Sequence, residues 1–474
     1  MNKSTSIKAN FIYNLIYQIL AIITPLITTP YLSRNLGPKN IGTYSFSYSI
    51  ASYFVMLAML GINNYGNREI AKIRDNIRLR SKKFWSIYFM QLFTGCLSLL
   101  IYLIYVILFS TETVGWIMTL YVVSGILDVN WYFFGCEKFK VTVTRNILIK
   151  LFTVVCILLF VKGENGLYAY SLIMCGGMLL SQLAIWPLLL KELKYEKVSL
   201  NEIFSHIKPN VVLFVPVIAV SLYKIMDKIM LGVLTTYTEV GFYESTERVT
   251  TLPNSCIIAL GTVMLPRISN LNSIGETNKS KDYIKKSMIF SVFISIPLSI
   301  GLASIADVFV PFFYGNGYDQ CIPLFNILLP SCIFAAFANV IRTQYLIPNG
   351  YDKEYLISVS LGAIINLVGN YVLIPISGAV GAAVCTLLAE IVVCFYQTSK
   401  IKDYCSLTET IRVCILFVLV GLLMYSTVSY IPIIKGYVLT LILKIIVGGI
   451  VYLPLCFLIW KRHLKKFDNL VEKT

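Results

Sequence analysis

Apolar positions dominate this chain in long runs rather than in alternating or amphipathic stripes, and the runs have the length that decides their meaning. About 20 consecutive apolar residues are needed to cross a bilayer as a helix. On that criterion helices are predicted near 9–33, 41–60, 82–108, 114–134, 144–162, 167–190, 208–233, 239–262, 284–308, 321–346, 357–375, 378–400, 409–431 and 436–460. These fourteen spans leave only short connections, the longest outer one being about 307–322 and the longest inner ones 70–83 and 191–208. No folded extramembrane domain fits in them. The run that starts near Ala9 continues past Thr29 without a small-residue cleavage pattern, so it is read as a retained first span. The fold class is therefore an all-α polytopic membrane protein.

Composition agrees: 57% of the 474 residues are hydrophobic and 14% charged, too apolar for soluble domains. The charges choose an orientation. Arg68, Lys72, Arg74, Arg78, Arg80, Lys82 and Lys83 follow the second span, and Lys138, Lys140, Arg145 and Lys150 the fourth. Lys191, Lys194, Lys197 and Lys208 follow the sixth, Arg267 to Lys286 the eighth, and a basic tail the last. Outer loops hold only Arg34, Lys39, Lys162 and Lys435. The positive-inside rule then places both termini in the cytoplasm of a cell-membrane protein. It also accounts for the net charge of +16 through topology and anionic lipid, with no nucleic acid among the partners.

A repeat is visible within the pattern. Leu36–Arg68 can be laid on Thr235–Arg267, pairing Ile41-Gly42-Thr43-Tyr44 with Val240-Gly241-Phe242-Tyr243, with Gly61 and Gly261 nearly in register. Six spans separate the copies, so both run the same way, as in transporters built from parallel repeats. This predicts an N-terminal lobe over 1–190, a cytoplasmic linker over 191–207, a C-terminal lobe over 208–400, and two appended helices with the tail over 401–474. The substrate site is expected between the lobes.

Polar chemistry is concentrated in two spans. Lys224, Asp227 and Lys228 sit at i, i+3 and i+4, and Glu244, Glu247 and Arg248 repeat the spacing, placing each trio on one helical face. An ionisable group mid-membrane costs roughly 2.5–3.5 kcal/mol on insertion scales, so such groups usually face a protein interior or a watery cavity. Three readings stay open for each trio: a structural ion pair, an anion-binding surface, or a coupling-ion site. The six charges balance. Arg34 ends the first span, where snorkelling and substrate contact are both open; Arg342 reads as an inside-positive anchor near the cytoplasmic end of its span. Asn366 and Asn370 suit helix–helix hydrogen bonding, and Glu390 is a further polar residue in a span. Prolines at 25, 30, 216, 253, 297 and 330 mark candidate bends. His206 and His463 lie in basic segments and read as solvated. No phosphate-binding GxxxxGK[ST] loop, HExxH or GxSxG motif and no metal-ligand cluster is present.

Two blocks carry a family resemblance: Asn10–Gly42 with Pro30-Tyr31-Leu32-Ser33-Arg34 and Leu36-Gly37-Pro38-Lys39-Asn40-Ile41-Gly42, continuing to Gly61-Ile62-Asn63-Asn64-Tyr65-Gly66-Asn67-Arg68-Glu69; and Gln344–Glu390 with Ile347-Pro348-Asn349-Gly350 and Gly378-Ala379-Val380-Gly381. The chain resembles the Wzx-type oligosaccharide flippases of the MOP exporter superfamily, in its polysaccharide branch. That resemblance implies a non-enzymatic flippase with two six-helix lobes around a cavity lined by helices 1, 2, 7 and 8. It implies an undecaprenyl-diphosphate-linked oligosaccharide as substrate, membrane lipids around it, and polysaccharide polymerase and chain-length proteins as further partners. Lys224, Lys228, Arg248 and Arg34 would then meet diphosphate or acidic sugars. Asp227, Glu244 and Glu247 become candidate ion-coupling residues, for protons or sodium, with no other cofactor. A multidrug or cation antiporter of the same superfamily and a membrane-embedded polysaccharide polymerase are the alternatives.

Overall fold

The computed structural model describes residues 7–471 except Glu164, Asp403 and Lys435, with the side chains of 7–19 and of the tail from 463 among those left undescribed. Lys435 and the two chain ends therefore lie outside the described residues, and nothing is described of the side chain of His463 or of those that follow it. All described regular structure is helical. Among the described residues, eleven helices are long and apolar enough to cross a membrane. Two of them, Ile7–Met59 and Asp352–Ile401, each hold two of the predicted spans and are interrupted inside. Their outward faces are greasy: Leu97, Leu100, Ile104, Ile107 and Leu108 on Ile77–Phe109, and Ile442, Ile446, Ile450, Leu453 and Phe457 on Tyr437–Val471, are exposed. Such stripes are stable only against lipid or another apolar surface.

The interruptions have local causes. At Gly37 the backbone takes φ 71°, which only glycine adopts without strain, and Pro38 has no N–H to offer the preceding turn. In the second long helix, Ser377 and Gly378 (φ 54°) break the path just after Pro375. The backbone N–H of Ala379 freed there donates to Glu239 Oε2 at 2.8 Å. In the internal repeat Gly37 falls on Thr236, where the chain is again extended (φ −129°, ψ 157°) between Met226–Leu234 and Tyr237–Ser273. Both copies thus break at the same position, although Gly61 caps a helix and Gly261 lies inside one.

Several predicted elements need correction. The span 208–233 is two helices, Ile207–Lys224 and Met226–Leu234, broken at Ile225. The span 114–134 is three short helices, Thr113–Ile117, Thr119–Ile126 and Asn130–Gly135. The first half of the supposed outer loop 307–322 belongs to the helix Ala306–Phe313, and the stretch 191–208 contains Leu200–Ser205, opened by a Ser199–Glu202 capping box.

By contacts the chain divides into two compact units, Met1–Ser221 and Leu222–Thr474. In the first, Gln91 organises the broken fourth span. Its Nε2 donates to the carbonyls of Gly125, Ile126 and Asp128, and its Oε1 accepts from the Trp131 indole at 3.1 Å. Trp131 is fully buried, stacks on Phe84 with centroids 5.3 Å apart, and packs on Gly66, where a Cβ would lie 2.5 Å from Cε3 of the indole. Held on both faces and by its N–H, the ring has nowhere to go. Gly66→Ala is expected to lower stability by about 1–3 kcal/mol through overpacking, read as a lower melting temperature of the purified protein.

His206 overturns its reading as a solvated residue. It is buried, with Tyr65 Oη 2.7 Å from Nδ1 and Ser86 Oγ 2.9 Å from Nε2, a polar junction tying three helices.

In the second unit, Thr277–Ser304 presents buried Ser280, Ser287, Ser291, Ser295 and Ser299 alongside Ile284, Met288, Val292 and Ile296. The hydroxyls of Ser291, Ser295 and Ser299 return to the helix's own carbonyls, so the stripe acts as small residues that let neighbours approach. The Cβ position of Gly421 lies 2.5 Å from Ile296. The last helix is pinned by Lys444, whose buried ammonium meets both oxygens of Asp307 at 3.0 and 2.9 Å.

Candidate functional site

Within the C-terminal unit lies a cavity of about 640 Å³. Tyr237–Ser273 supplies one wall from Tyr243 to Ile258, Cys321–Ile341 another from Leu328 to Asn339, and Asp352–Ile401 a third through Tyr355 and Val359 and then Thr386, Glu390, Val393 and Gln397. Those last four recur at helical spacing, so they form one stripe roughly 16 Å long at 1.5 Å per residue, polar at every position but Val393. The short helix Met226–Leu234 contributes Asp227 and Lys228.

Six of the seven predicted site residues line this cavity: Lys224, Asp227, Lys228, Glu244, Glu247 and Arg248. The seventh, Arg34, belongs to the N-terminal unit, where it is exposed. The expected single helical face for Lys224, Asp227 and Lys228 is corrected by the break at Ile225. Lys224 ends one helix, exposed, and the other two begin the next.

The charges then pair both between helices, through Lys228, and within one, through Arg248 and Glu244. Lys228 Nζ reaches Glu244 Oε2 at 3.1 Å and Glu247 Oε2 at 2.9 Å, and Arg248 Nε reaches Glu244 Oε1 at 2.7 Å. All four side chains are 30% exposed or less, so these pairs are shielded from bulk water. Two cations share two carboxylates.

Asp227 is not the partner of either lysine. It is 2% exposed and accepts hydrogen bonds from Tyr243 Oη at 2.6 Å, Thr386 Oγ1 at 2.8 Å and Asn370 Nδ2 at 2.6 Å. Asn370 also donates to Asn366 Oδ1 at 3.1 Å, while its own Oδ1 is buried with no partner among the described residues. The predicted helix–helix bonding of Asn366 and Asn370 is thus directed at one carboxylate. The result is a compact set of oxygen atoms on three helices beside the cavity.

Arg342, read as a cytoplasmic anchor, instead lines the cavity at the start of a π-helical turn, Arg342–Leu346. Tyr243, Thr386, Asn339, Tyr355 and Gln397 were not singled out in the sequence. The spacing of Thr386, Glu390, Val393 and Gln397 was the available signal, hidden because the surrounding run is apolar on every side.

Residues 7–272 match the family described as polysaccharide biosynthesis protein. A candidate O-antigen transporter of Escherichia coli (strain K12) is 25% identical over 395 residues, covering 82% of this chain and 95% of the relative. Its counterpart in Shigella dysenteriae is 26% identical over 390 residues, covering 80% and 96%. Among solved structures, the lipid II flippase MurJ in an inward closed conformation superposes with a TM-score of 0.72 at 14% identity, covering 96% of this chain and 99% of that one. These relatives are transporters and flippases, not enzymes. With more than half of its length matched, the chain, a multi-pass membrane protein, belongs to the polysaccharide biosynthesis protein family.

Proposed function

We propose that this protein is a flippase that carries an undecaprenyl-diphosphate-linked oligosaccharide repeat unit from the inner to the outer leaflet of the bacterial cytoplasmic membrane, for surface polysaccharide biosynthesis. The observation that carries the reading is a charged and amide-rich cavity in the C-terminal unit of a multi-pass membrane chain of this family. Burying so many polar groups among apolar helices is costly, and the substrate is a large polar headgroup that must cross hydrocarbon. Transport proceeds by alternating access, with the arginine- and lysine-rich connections on the cytoplasmic side. Lys224 and Arg248 are placed to meet the anionic headgroup, and Arg34 serves the same purpose in the N-terminal unit. Polymerase and chain-length proteins take up the product.

The oxygen set at Asp227 suits a coupling ion. Asp227, Asn366, Asn370 and Thr386 are hard donors fit for a proton on the carboxylate or for sodium, and the unpartnered Asn370 Oδ1 is the atom such an ion would use. Glu244 and Glu247, already neutralised by Lys228 and Arg248, suit that work less.

The test is to delete the gene and locate the lipid-linked repeat unit. Accumulation on the inner leaflet, relieved by the restored chain, is expected. Accumulation on the outer leaflet would instead indicate a polymerase, and resistance to cationic dyes without glycan accumulation an antiporter.

A further inference from the structure

The cations of the cavity are not equivalent. Lys228 and Arg248 are engaged by Glu244 and Glu247. Arg342 faces the same cavity, half-buried, and no carboxylate pairs with it among the described residues. One of its N–H groups donates to Asn339 Oδ1, and its guanidinium lies 5.8 Å from the centroid of the Tyr355 ring. A guanidinium has five donors, so most of them have no hydrogen-bond acceptor among the described residues. The backbone beneath is unusual as well. Arg342–Leu346 is a π-helical turn, a geometry that is rare and recurs at functional sites.

Two acceptors complete the surroundings. Glu390 lines the cavity with no hydrogen bond or ion pair among the described residues, and Gln397 donates from Nε2 to Ser358 at 2.9 Å while its buried Oε1 has no partner there. Both sit on the stripe that starts at Thr386, facing the cavity that Arg342 faces. An unpaired cation, an aromatic ring and two unmet acceptors in one pocket match a ligand that is part acid and part sugar.

We propose that Arg342, held by Asn339 and flanked by Tyr355, is the subsite of this cavity that reads an acidic oxygen group adjoining a sugar ring; the proposal deepens the flippase reading and rests on it. The planar fork of the guanidinium takes a carboxylate or phosphate through two parallel hydrogen bonds. The Tyr355 ring offers an apolar face to the C–H side of a pyranose, and Gln397 Oε1 and Glu390 accept from sugar hydroxyls. The acidic group has two sources, the carboxylate of a uronic acid in the repeat unit or the diphosphate next to its first sugar.

The experiment uses the purified full chain in detergent and measures the rise in melting temperature with three probes: tri-galacturonate, undecaprenyl diphosphate and neutral maltotriose. One of the acidic probes is expected to stabilise the protein in a saturable way, with maltotriose much weaker. Arg342→Gln is expected to weaken that probe about tenfold or more, and Arg342→Lys to weaken it less, because the charge stays and the fork is lost. Tri-galacturonate as the responding probe assigns the subsite to an acidic sugar, and undecaprenyl diphosphate assigns it to the carrier. Tyr355→Ala should weaken the responding probe as well. The proposal is overturned if the acidic probes bind wild type no better than maltotriose, or if Arg342→Gln binds them as wild type does while melting at the same temperature without ligand. Should anions bind through Arg342 while the deletion strain still moves its lipid-linked units, the flippase reading fails and the subsite stands.

Discussion

Lys228→Ala is expected to destabilise the C-terminal unit by about 3–5 kcal/mol and to abolish transport, the usual result of removing one partner from a buried ion pair. The ammonium lies 3.1 Å from Glu244 and 2.9 Å from Glu247, with side chains 15%, 12% and 30% exposed. Without it, two carboxylates on neighbouring turns of one helix face each other, and Arg248 compensates only Glu244. The remaining charge repulsion and lost hydrogen bonds fall on Glu247. A second variant separates structure from binding. Lys228→Met combined with Glu247→Gln removes both ends of one pair and leaves Glu244 with Arg248, and replacing both partners of a buried pair is often close to neutral. If Lys228 serves the fold, this double variant regains both melting temperature and flipping. If it touches substrate, stability returns and flipping does not. An Ala variant that melts with the wild type would show that the pairs carry no weight.

That prediction differs from one drawn on spacing alone, and the difference shows where sequence stops informing. Apolar runs of membrane length made the helical class and most spans legible, because lipid imposes one structural solution on the backbone. The six charges that spacing grouped into two trios do line one cavity, although Lys224 ends a different helix from Asp227 and Lys228. The i,i+4 pair of Glu244 and Arg248 is local, but the partners of Lys228 and Asp227 could not be read, because they are chosen between helices. Lys228 finds its carboxylates 16 and 19 positions away, Asp227 its amide 143 away, and Lys444 its carboxylate 137 away. His206 was misread for the same reason: its partners, Tyr65 and Ser86, are 141 and 120 positions distant. The breaks at Gly37-Pro38 and Gly378 carried a local signal, a glycine with a proline next to it or three residues before it, whereas the one at Ile225 carried none, since no glycine or proline adjoins it. Arg342 was placed by its nearness to a helix end, and the cavity reaches that far along the helix.

Asp227→Asn is expected to fold and to lose transport by about tenfold to a hundredfold, the equivalent of one charge-assisted hydrogen bond. The side chain is the meeting point of Met226–Leu234, Tyr237–Ser273 and Asp352–Ile401, through Tyr243, Thr386 and Asn370. Two effects can be told apart by the replacement chosen. Alanine removes the acceptor, but two fallbacks remain: Tyr243 and Thr386 are 2.9 Å apart, and Asn370 keeps its bond to Asn366 at 3.1 Å. Its cost should therefore stay near the 1–3 kcal/mol of a single unmet buried donor rather than three times that. Asparagine keeps the shape and one acceptor oxygen while deleting the charge that a proton or sodium would answer. Flipping measured with the sodium gradient and the proton gradient collapsed in turn decides the role. Wild type should slow when one of the two is removed, and the Asn variant should be slow already and indifferent to both. An Asn variant that moves substrate at the wild-type rate under intact gradients removes Asp227 from the coupling and leaves it as a structural junction of three helices.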